Sequence, residues 1–207
     1  MTKRIIIYLV GMLLLAVGIV LNTRTGLGVA AVASFPFAIN QITGLSLGNA
    51  SMFMYLVLVV LQLVLVRKAD LKILLQIPFS VGFGVILDFV NNKLSIRANT
   101  LVSGLALLLV AVLTIASGVF MMVKCDLILN PVDGAVKTMS DVFKVKFGRV
   151  KIIFDASFVT LTIVTSLVFT GSIIGIGIGT VIAVLLMGNT IQFMVHNFDD
   201  LMNKVLA

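Results

Sequence analysis

Hydrophobic positions dominate the chain in long runs that contain no charged residue. These runs cover residues 5–23, 25–66, 98–123 and 156–198. A helix needs about 20 predominantly apolar residues to cross the hydrocarbon core of a bilayer. The pattern therefore predicts an all-α polytopic membrane bundle with six spans, near residues 5–22, 50–66, 73–92, 100–123, 152–171 and 174–195.

Composition and charge are consistent with this architecture. Of the 207 residues, 60% are hydrophobic and only 11% are charged, which is typical of a membrane protein. With six spans and a cytoplasmic N-terminus, Arg24, Lys93 and Arg97 lie outside the cell. The other 12 of the 15 Lys and Arg residues (15 − 3) then lie inside, as the positive-inside bias favours. The sequence thus predicts a multi-pass protein of the bacterial plasma membrane, with both termini in the cytoplasm.

The two halves of the chain resemble each other. A shift of 100 positions pairs Gly18 with Gly118, Arg24 with Lys124, Leu27 with Leu127, and Gly48 with Gly148. We therefore predict a first membrane repeat over 1–97 and a second over 98–207, within one membrane domain. Each half has three spans, an odd number, so the second half must enter the bilayer from the opposite side. Inverted repeats of this kind recur in secondary transporters.

Two segments, 28–43 and 130–145, are about 16 residues long and too short to span fully. If both did cross, the division of basic residues would weaken to about 10 to 5, so the bias favours segments that do not cross. We predict one re-entrant or interfacial half-helix in each repeat.

The second short segment carries a helix start signal. Asn130 suits the N-cap, Pro131 the first helical position, and Asp133 the positive end of the helix dipole. The first segment offers Ser34 but no charge. Half-helix N-termini often meet an anionic or polar ligand in transporters. Alternatively, these segments are surface helices that close the bundle ends, and capping alone explains their residues.

Two stretches resemble a known family: "TRTGLGVAAVASFPFAINQITGLSLGNAS" and "NPVDGAVKTMS" with the following "FGRVK". They are similar to the YczE/YyaS/YitT group of bacterial integral membrane proteins, over roughly residues 8–196. The resemblance implies a small polytopic membrane protein with an internal repeat, of a group described mostly as membrane or transporter-like proteins. It implies no catalytic residues. This chain departs from the group's pattern in having Phe37 in place of Trp, and "CDLIL" in place of the second Gly-Leu-Gly.

Polar residues within the spans are further candidates for binding a substrate or ion. In the repeat alignment Asp88 corresponds to Gln192, and Tyr55 corresponds to Asp155. A carboxylate opposite an amide or phenol suits a proton or cation relay. For Asp155 the alternative is an i,i+4 ion pair with Lys151, which we favour. For Asp88, relay and interfacial readings stay open.

Other chemistry has little support in the sequence. With one cysteine, Cys125, and one histidine, His196, we expect no disulfide and no metal or haem centre. Topology explains the basic residues, so we expect no nucleic-acid partner. No nucleophile–base pair or pair of acid–base carboxylates is present, so we expect neither an enzyme nor a cofactor.

Glycine and proline mark two local features. "GIGIGT", residues 175–180, is expected to be a close-packing face within the last span. Pro78 is expected to kink the third span, with Ser80 compensating for the lost hydrogen bond.

Together these features predict a small secondary transporter or permease for a small solute, driven by a proton or ion gradient, with its site near the half-helices. The alternative is a non-transporting membrane scaffold or assembly partner that uses a small-residue interface. The lipid bilayer is a partner in both cases, and association with further copies of the chain stays open.

Overall fold

A computed structural model describes residues 2–206 of the protein. The described part is all-α and contains nine helices, without strands. Their bounds are α1 (Thr2–Thr23), α2 (Ala31–Thr43), α3 (Leu47–Val66), α4 (Leu71–Leu74), α5 (Gln76–Lys93), α6 (Leu101–Cys125), α7 (Pro131–Phe143), α8 (Phe147–Thr170) and α9 (Ile178–Leu206).

Six of these elements are long and apolar enough to cross a membrane, counting α4 and α5 as one. The short helices α2 and α7 have 13 residues each and fall within the two segments predicted to be too short to span. The prediction of an all-α fold with six helices long enough to cross a membrane is therefore confirmed. Helices also recur at a spacing of 100 residues, since α2 and α7 begin at 31 and 131, and α3 and α8 begin at 47 and 147.

By its internal contacts the chain divides into two compact units. Unit 1 consists of residues 1–30, 89–127 and 176–207, and unit 2 of residues 31–88 and 128–175. Each unit contains helices from both predicted repeats. The division into repeats 1–97 and 98–207 thus stays a prediction about sequence ancestry, whereas the packing units are interleaved along the chain.

In unit 1, α1 and α6 pack closely and run in opposite directions. A methyl group on Gly118 would lie 2.6 Å from the carbonyl oxygen of Gly11, and one on Gly18 would lie 3.1 Å from that of Ala111. Small residues at these positions let the two backbones approach, which is the usual way that helices associate in lipid. Beside them, α9 packs on α6 around a core of Leu108, Val112 and Ala183.

In unit 2, each short helix packs against long helices of both repeats. Helix α2 contacts α3 and α8, and α7 contacts α3 and α8. The core includes Phe83, which is fully buried and whose ring lies 5.6 Å from that of Tyr55. Unit 2 also contains most of the candidate residues named from the sequence.

The prediction that residues 175–177 belong to the last span is wrong, because α9 begins at Ile178 and positive φ at Gly175 (77°) precludes a regular helix there. The close-packing role holds for Gly179, whose amide donates to the Leu27 carbonyl at 2.7 Å.

The third span is interrupted near Pro78, as predicted. Helix α4 ends at Leu74 and α5 begins at Gln76, two residues before the proline. Proline cannot donate to the carbonyl four residues earlier, here Leu74. The Ser80 hydroxyl donates to the Gln76 carbonyl at 2.6 Å, which supplies a local hydrogen bond beside the break.

Candidate functional site

The short helix α7 starts as the sequence predicts. The Asn130 side-chain oxygen accepts the Val132 amide proton at 2.9 Å, and Pro131 occupies the first helical position. The missing N–H of proline would be unsatisfied there anyway. The helix ends at Phe143. Lys144 is its C-cap, with a left-handed backbone (φ 57°), and donates its amide proton to the Ser140 carbonyl.

Asp133 lies in the first turn of α7 and is half-buried. Within residues 2–206 its carboxylate forms no side-chain hydrogen bond and no salt bridge. Burial raises the pKa of the Asp133 carboxyl; Lys151 opposes this shift and Asp155 adds to it. Asp133 therefore differs from the other carboxylates near the helix contacts of unit 2, which have partners.

Asp155 and Lys151 form the ion pair predicted from their spacing on α8. The Lys151 ammonium donates to a carboxylate oxygen of Asp155 at 2.7 Å. Asp133 interacts electrostatically with both residues and with Tyr55 on α3, which is buried. Tyr55, Asp133 and Asp155, three candidates from separate parts of the sequence, thus belong to one electrostatically linked group in unit 2.

A pair of glutamines holds α7 against its neighbours. Gln62 of α3 and Gln76 of α5 exchange two amide hydrogen bonds of 2.8 and 3.1 Å, and both side chains are buried. Gln62 also donates to the Pro131 carbonyl at 3.4 Å. A methyl group on Gly134 would lie only 2.7 Å from the Gln76 amide nitrogen, so α7 contacts this pair through glycine.

The other short helix is held through Ser34. Its hydroxyl donates to the Ala31 carbonyl at 2.6 Å and is hydrogen bonded to the Thr162 hydroxyl of α8 at 2.9 Å. Ser34 and Thr162 are both fully buried. Ser34 therefore fastens α2 to a helix of the second repeat.

Asp88 has a structural partner that the sequence did not reveal. Its carboxylate accepts hydrogen bonds from the Ser46 hydroxyl at 2.5 Å and the Gly48 amide at 2.6 Å. Ser46 is the N-cap of α3, so Asp88 completes the cap and lies at the positive end of that helix dipole. These contacts compensate the carboxylate in an otherwise apolar helix.

The candidates are not all gathered in one place. Six of the seven lie in unit 2, namely Ser34, Tyr55, Asp88, Asn130, Asp133 and Asp155. Gln192, the counterpart of Asp88, lies on α9 in unit 1 and is exposed. Among the described residues, no group of three His, Cys, Asp or Glu side chains is arranged to hold a metal ion.

Sequence reasoning missed Gln62, Gln76 and Thr162. Their signal was an uncharged polar residue within an apolar run, for example Gln62 in "VVLQLVLV". A buried amide in lipid needs a hydrogen-bonding partner as a charged group does, so a lone glutamine in such a run indicates a contact between helices.

These features define a polytopic α-helical membrane protein with two short helices packed among its spans. The chain belongs to a family of unknown function, DUF6198, whose model matches residues 2–196. It is similar to the uncharacterized protein YyaS of Bacillus subtilis (strain 168), with 26% identity over 199 residues, 95% of this chain and 92% of the relative. The resemblance to a YyaS-like group noted from the sequence is thereby confirmed. No solved structure matches the chain significantly.

Proposed function

We propose that the protein is a small secondary transporter whose solute and coupling ion bind beside the short helices of unit 2, with Asp133 as the coupling carboxylate. The observation that carries the proposal is the half-buried Asp133 without a hydrogen-bonding partner in the described chain. An ionisable residue that is neither paired nor fully solvated in such a setting is a candidate for ion binding.

Repeat symmetry in the contacts supports this proposal. Ser34 contacts Thr162 in unit 2. The residues 100 positions away from these two are Gly134 and Gln62, and they also contact each other in unit 2. Similarly, the approach of Gly11 to Gly118 becomes that of Ala111 to Gly18 in unit 1, where both are present. The antiparallel course of α1 and α6, which are repeat counterparts, is what an inverted repeat requires.

The placement of the short helices supports transport rather than a purely static bundle. Both pack between long helices of different repeats, through Ser34 in one case and the glutamine pair in the other. In inverted-repeat transporters the solute site lies between the repeats, and motion of one repeat against the other exposes it alternately.

The scaffold alternative has one observation in its favour. Helices α8 and α9 bury a smaller share of their apolar windows than the other spans do. The outward face of α8 carries Ala156, Ser157 and Thr160, small residues that suit close helix contact with another membrane protein.

Accessibility from the two sides of the membrane separates the two functions. In a Cys125→Ser background, Asp133→Cys is labelled with a membrane-impermeant maleimide from either side of sealed vesicles. A transporter exposes this position to each side in turn, so we expect labelling from both sides even without the coupling carboxylate. Lys68→Cys, at an exposed loop position, is the control and should react from one side only. Labelling of position 133 from a single side contradicts transport and favours the scaffold.

A further inference from the structure

Two basic residues, Arg24 and Arg97, come together at one end of unit 1. Arg24 directly follows α1, and Arg97 lies in the connection from α5 to α6. The Ala98 amide donates to the Arg24 carbonyl at 3.1 Å, so this connection is fastened against Arg24. Arg97 is thereby held close to Arg24 along the chain path, and its side chain is exposed.

Among residues 2–206, the guanidinium of Arg24 has only neutral hydrogen-bonding partners. Its Nη2 donates to the side-chain oxygen of Asn91 at 2.8 Å and to the Asn91 carbonyl at 3.3 Å. Its Nε is buried and finds no acceptor among the residues that the structure describes. Arg24 forms no salt bridge with any of their carboxylates. A buried donor of a charged group that stays unsatisfied is costly, so an anionic acceptor would stabilise this site.

In the second repeat, the corresponding basic residue has a carboxylate partner. Lys124, the counterpart of Arg24, also directly precedes a connection after the first helix of its repeat. It forms a salt bridge with Asp199 of α9. The last helix of the first repeat is α5, and it presents the neutral Asn91 to Arg24 instead of a carboxylate. The positive charge is therefore neutralised within the chain in one repeat and left open in the other.

Electrostatics point the same way. Burial lowers the pKa of the Arg24 guanidinium, and the positive charge of Arg97 lowers it further. Two guanidinium groups that repel each other beside a partly buried surface are stabilised together by an anion between them.

We propose that Arg24 and Arg97 form a binding site for a phosphate-type oxyanion. Guanidinium groups bind such oxyanions through paired N–H donors, and the unsatisfied Nε of Arg24 supplies one donor. Because Arg24 directly follows a membrane-spanning helix, the oxyanion is either the head group of an anionic phospholipid or a free phosphate. This proposal does not depend on transport.

Ligand-dependent thermal stability tests the site. Unfolding of the purified protein in a neutral detergent is followed by the reaction of a thiol-specific dye with Cys125, the sole cysteine, which is buried. Inorganic phosphate is titrated against sodium chloride at matched ionic strength. In a second arm, the protein is placed in phosphatidylcholine nanodiscs with or without phosphatidylglycerol. The variants are Arg24→Gln, Arg97→Gln and, as a control of equal charge change, the exposed Arg149→Gln.

We expect the wild type and Arg149→Gln to be stabilised by at least one of the two probes. Arg97→Gln should weaken the apparent affinity at least about tenfold, the effect of losing one charge-assisted contact. A response to phosphate assigns a free anion, and a response to phosphatidylglycerol alone assigns a lipid head group. Arg97 is exposed, so its substitution leaves the packing intact even if Arg24→Gln fails to fold. Equal responses of Arg97→Gln and Arg149→Gln to both probes overturn the proposal, because they indicate only a general salt effect.

Discussion

At the scale of single residues, the three candidate carboxylates of unit 2 fall into two kinds. Asp88 and Asp155 are held by specific partners, the first by the N-terminus of α3 and the second by Lys151. Asp133 has electrostatic neighbours but no hydrogen bond or salt bridge in the described chain. The first kind should matter mainly for stability, and the second for the response to pH.

Asp88→Ala should destabilise the folded protein by about 1–3 kcal/mol, because the Ser46 hydroxyl and the Gly48 amide lose their acceptor. Asp88→Asn should cost less, since its amide oxygen still accepts the Gly48 proton. Thermal unfolding followed by dye labelling of Cys125 measures both variants. The exposed Asp200→Ala serves as the control and should be nearly neutral. An Asp88→Ala variant as stable as this control contradicts the capping role.

Asp133→Asn should change how stability depends on pH. The raised pKa of Asp133 means that the folded state binds its proton more tightly than the unfolded state does. The stabilisation that Asp133 contributes is therefore complete below its pKa in the unfolded chain. It is lost as the pH rises through the pKa that Asp133 has in the folded protein. Unfolding temperatures of the wild type should fall relative to those of Asp133→Asn from about pH 4 upward. The exposed Asp141→Asn on the same helix should run parallel to the wild type; a parallel Asp133→Asn curve contradicts the assignment.

At the scale of helices, glycines decide which contacts are close. Gly48 and Gly148 are repeat counterparts near the starts of α3 and α8, yet their surroundings differ. A methyl group on Gly48 would overlap the Gly84 carbonyl oxygen, whereas one on Gly148 meets nothing within 4 Å. The two positions share sequence context but not packing.

Gly48→Ala should thus destabilise the protein by about 1–3 kcal/mol through overpacking against α5. Gly148→Ala should be neutral or stabilising by up to about 1 kcal/mol, because alanine loses less backbone freedom on folding. The same Cys125 labelling assay compares the two variants directly. Equal destabilisation by Gly48→Ala and Gly148→Ala would contradict the close contact between α3 and α5.

At the scale of the whole molecule, the number of spans determines which loops face which side. Six spans with a cytoplasmic N-terminus place the loop after α3 inside and the connection between α5 and α6 outside. Eight spans, with α2 and α7 crossing, would exchange these two positions.

Single cysteines in a Cys125→Ser background distinguish these topologies. In right-side-out vesicles, Ser95→Cys should react with an impermeant maleimide, and Lys68→Cys should react only after the vesicles are opened. Both native residues are exposed, so the reagent has access to each position. The reverse pattern would show that the short helices cross the membrane. The two repeats would then not be inverted, and the transporter proposal would lose that support.

Much of this architecture follows from local sequence. The length of each apolar run sets the number of long helices, and Asn130 with Pro131 sets the start of α7. The Lys151–Asp155 pair was equally accessible, because a spacing of four residues places two side chains on one helix face. Even the spacing of the helices by 100 residues was visible as a repeat in the sequence.

Tertiary structure decided what the polar residues contact. Asp88 lies 40 positions from the Gly48 amide it accepts, Gln62 lies 14 from Gln76, and Arg24 lies 67 from Asn91. Such partners are brought together by the crossing of separate helices, and an apolar pattern specifies which face is buried without specifying which helix covers it. The sequence alone determined the helices and their ends. Packing determined that Asp88 caps α3 and that, among the described residues, Asp133 has no hydrogen-bonding partner and Arg24 has no counterion.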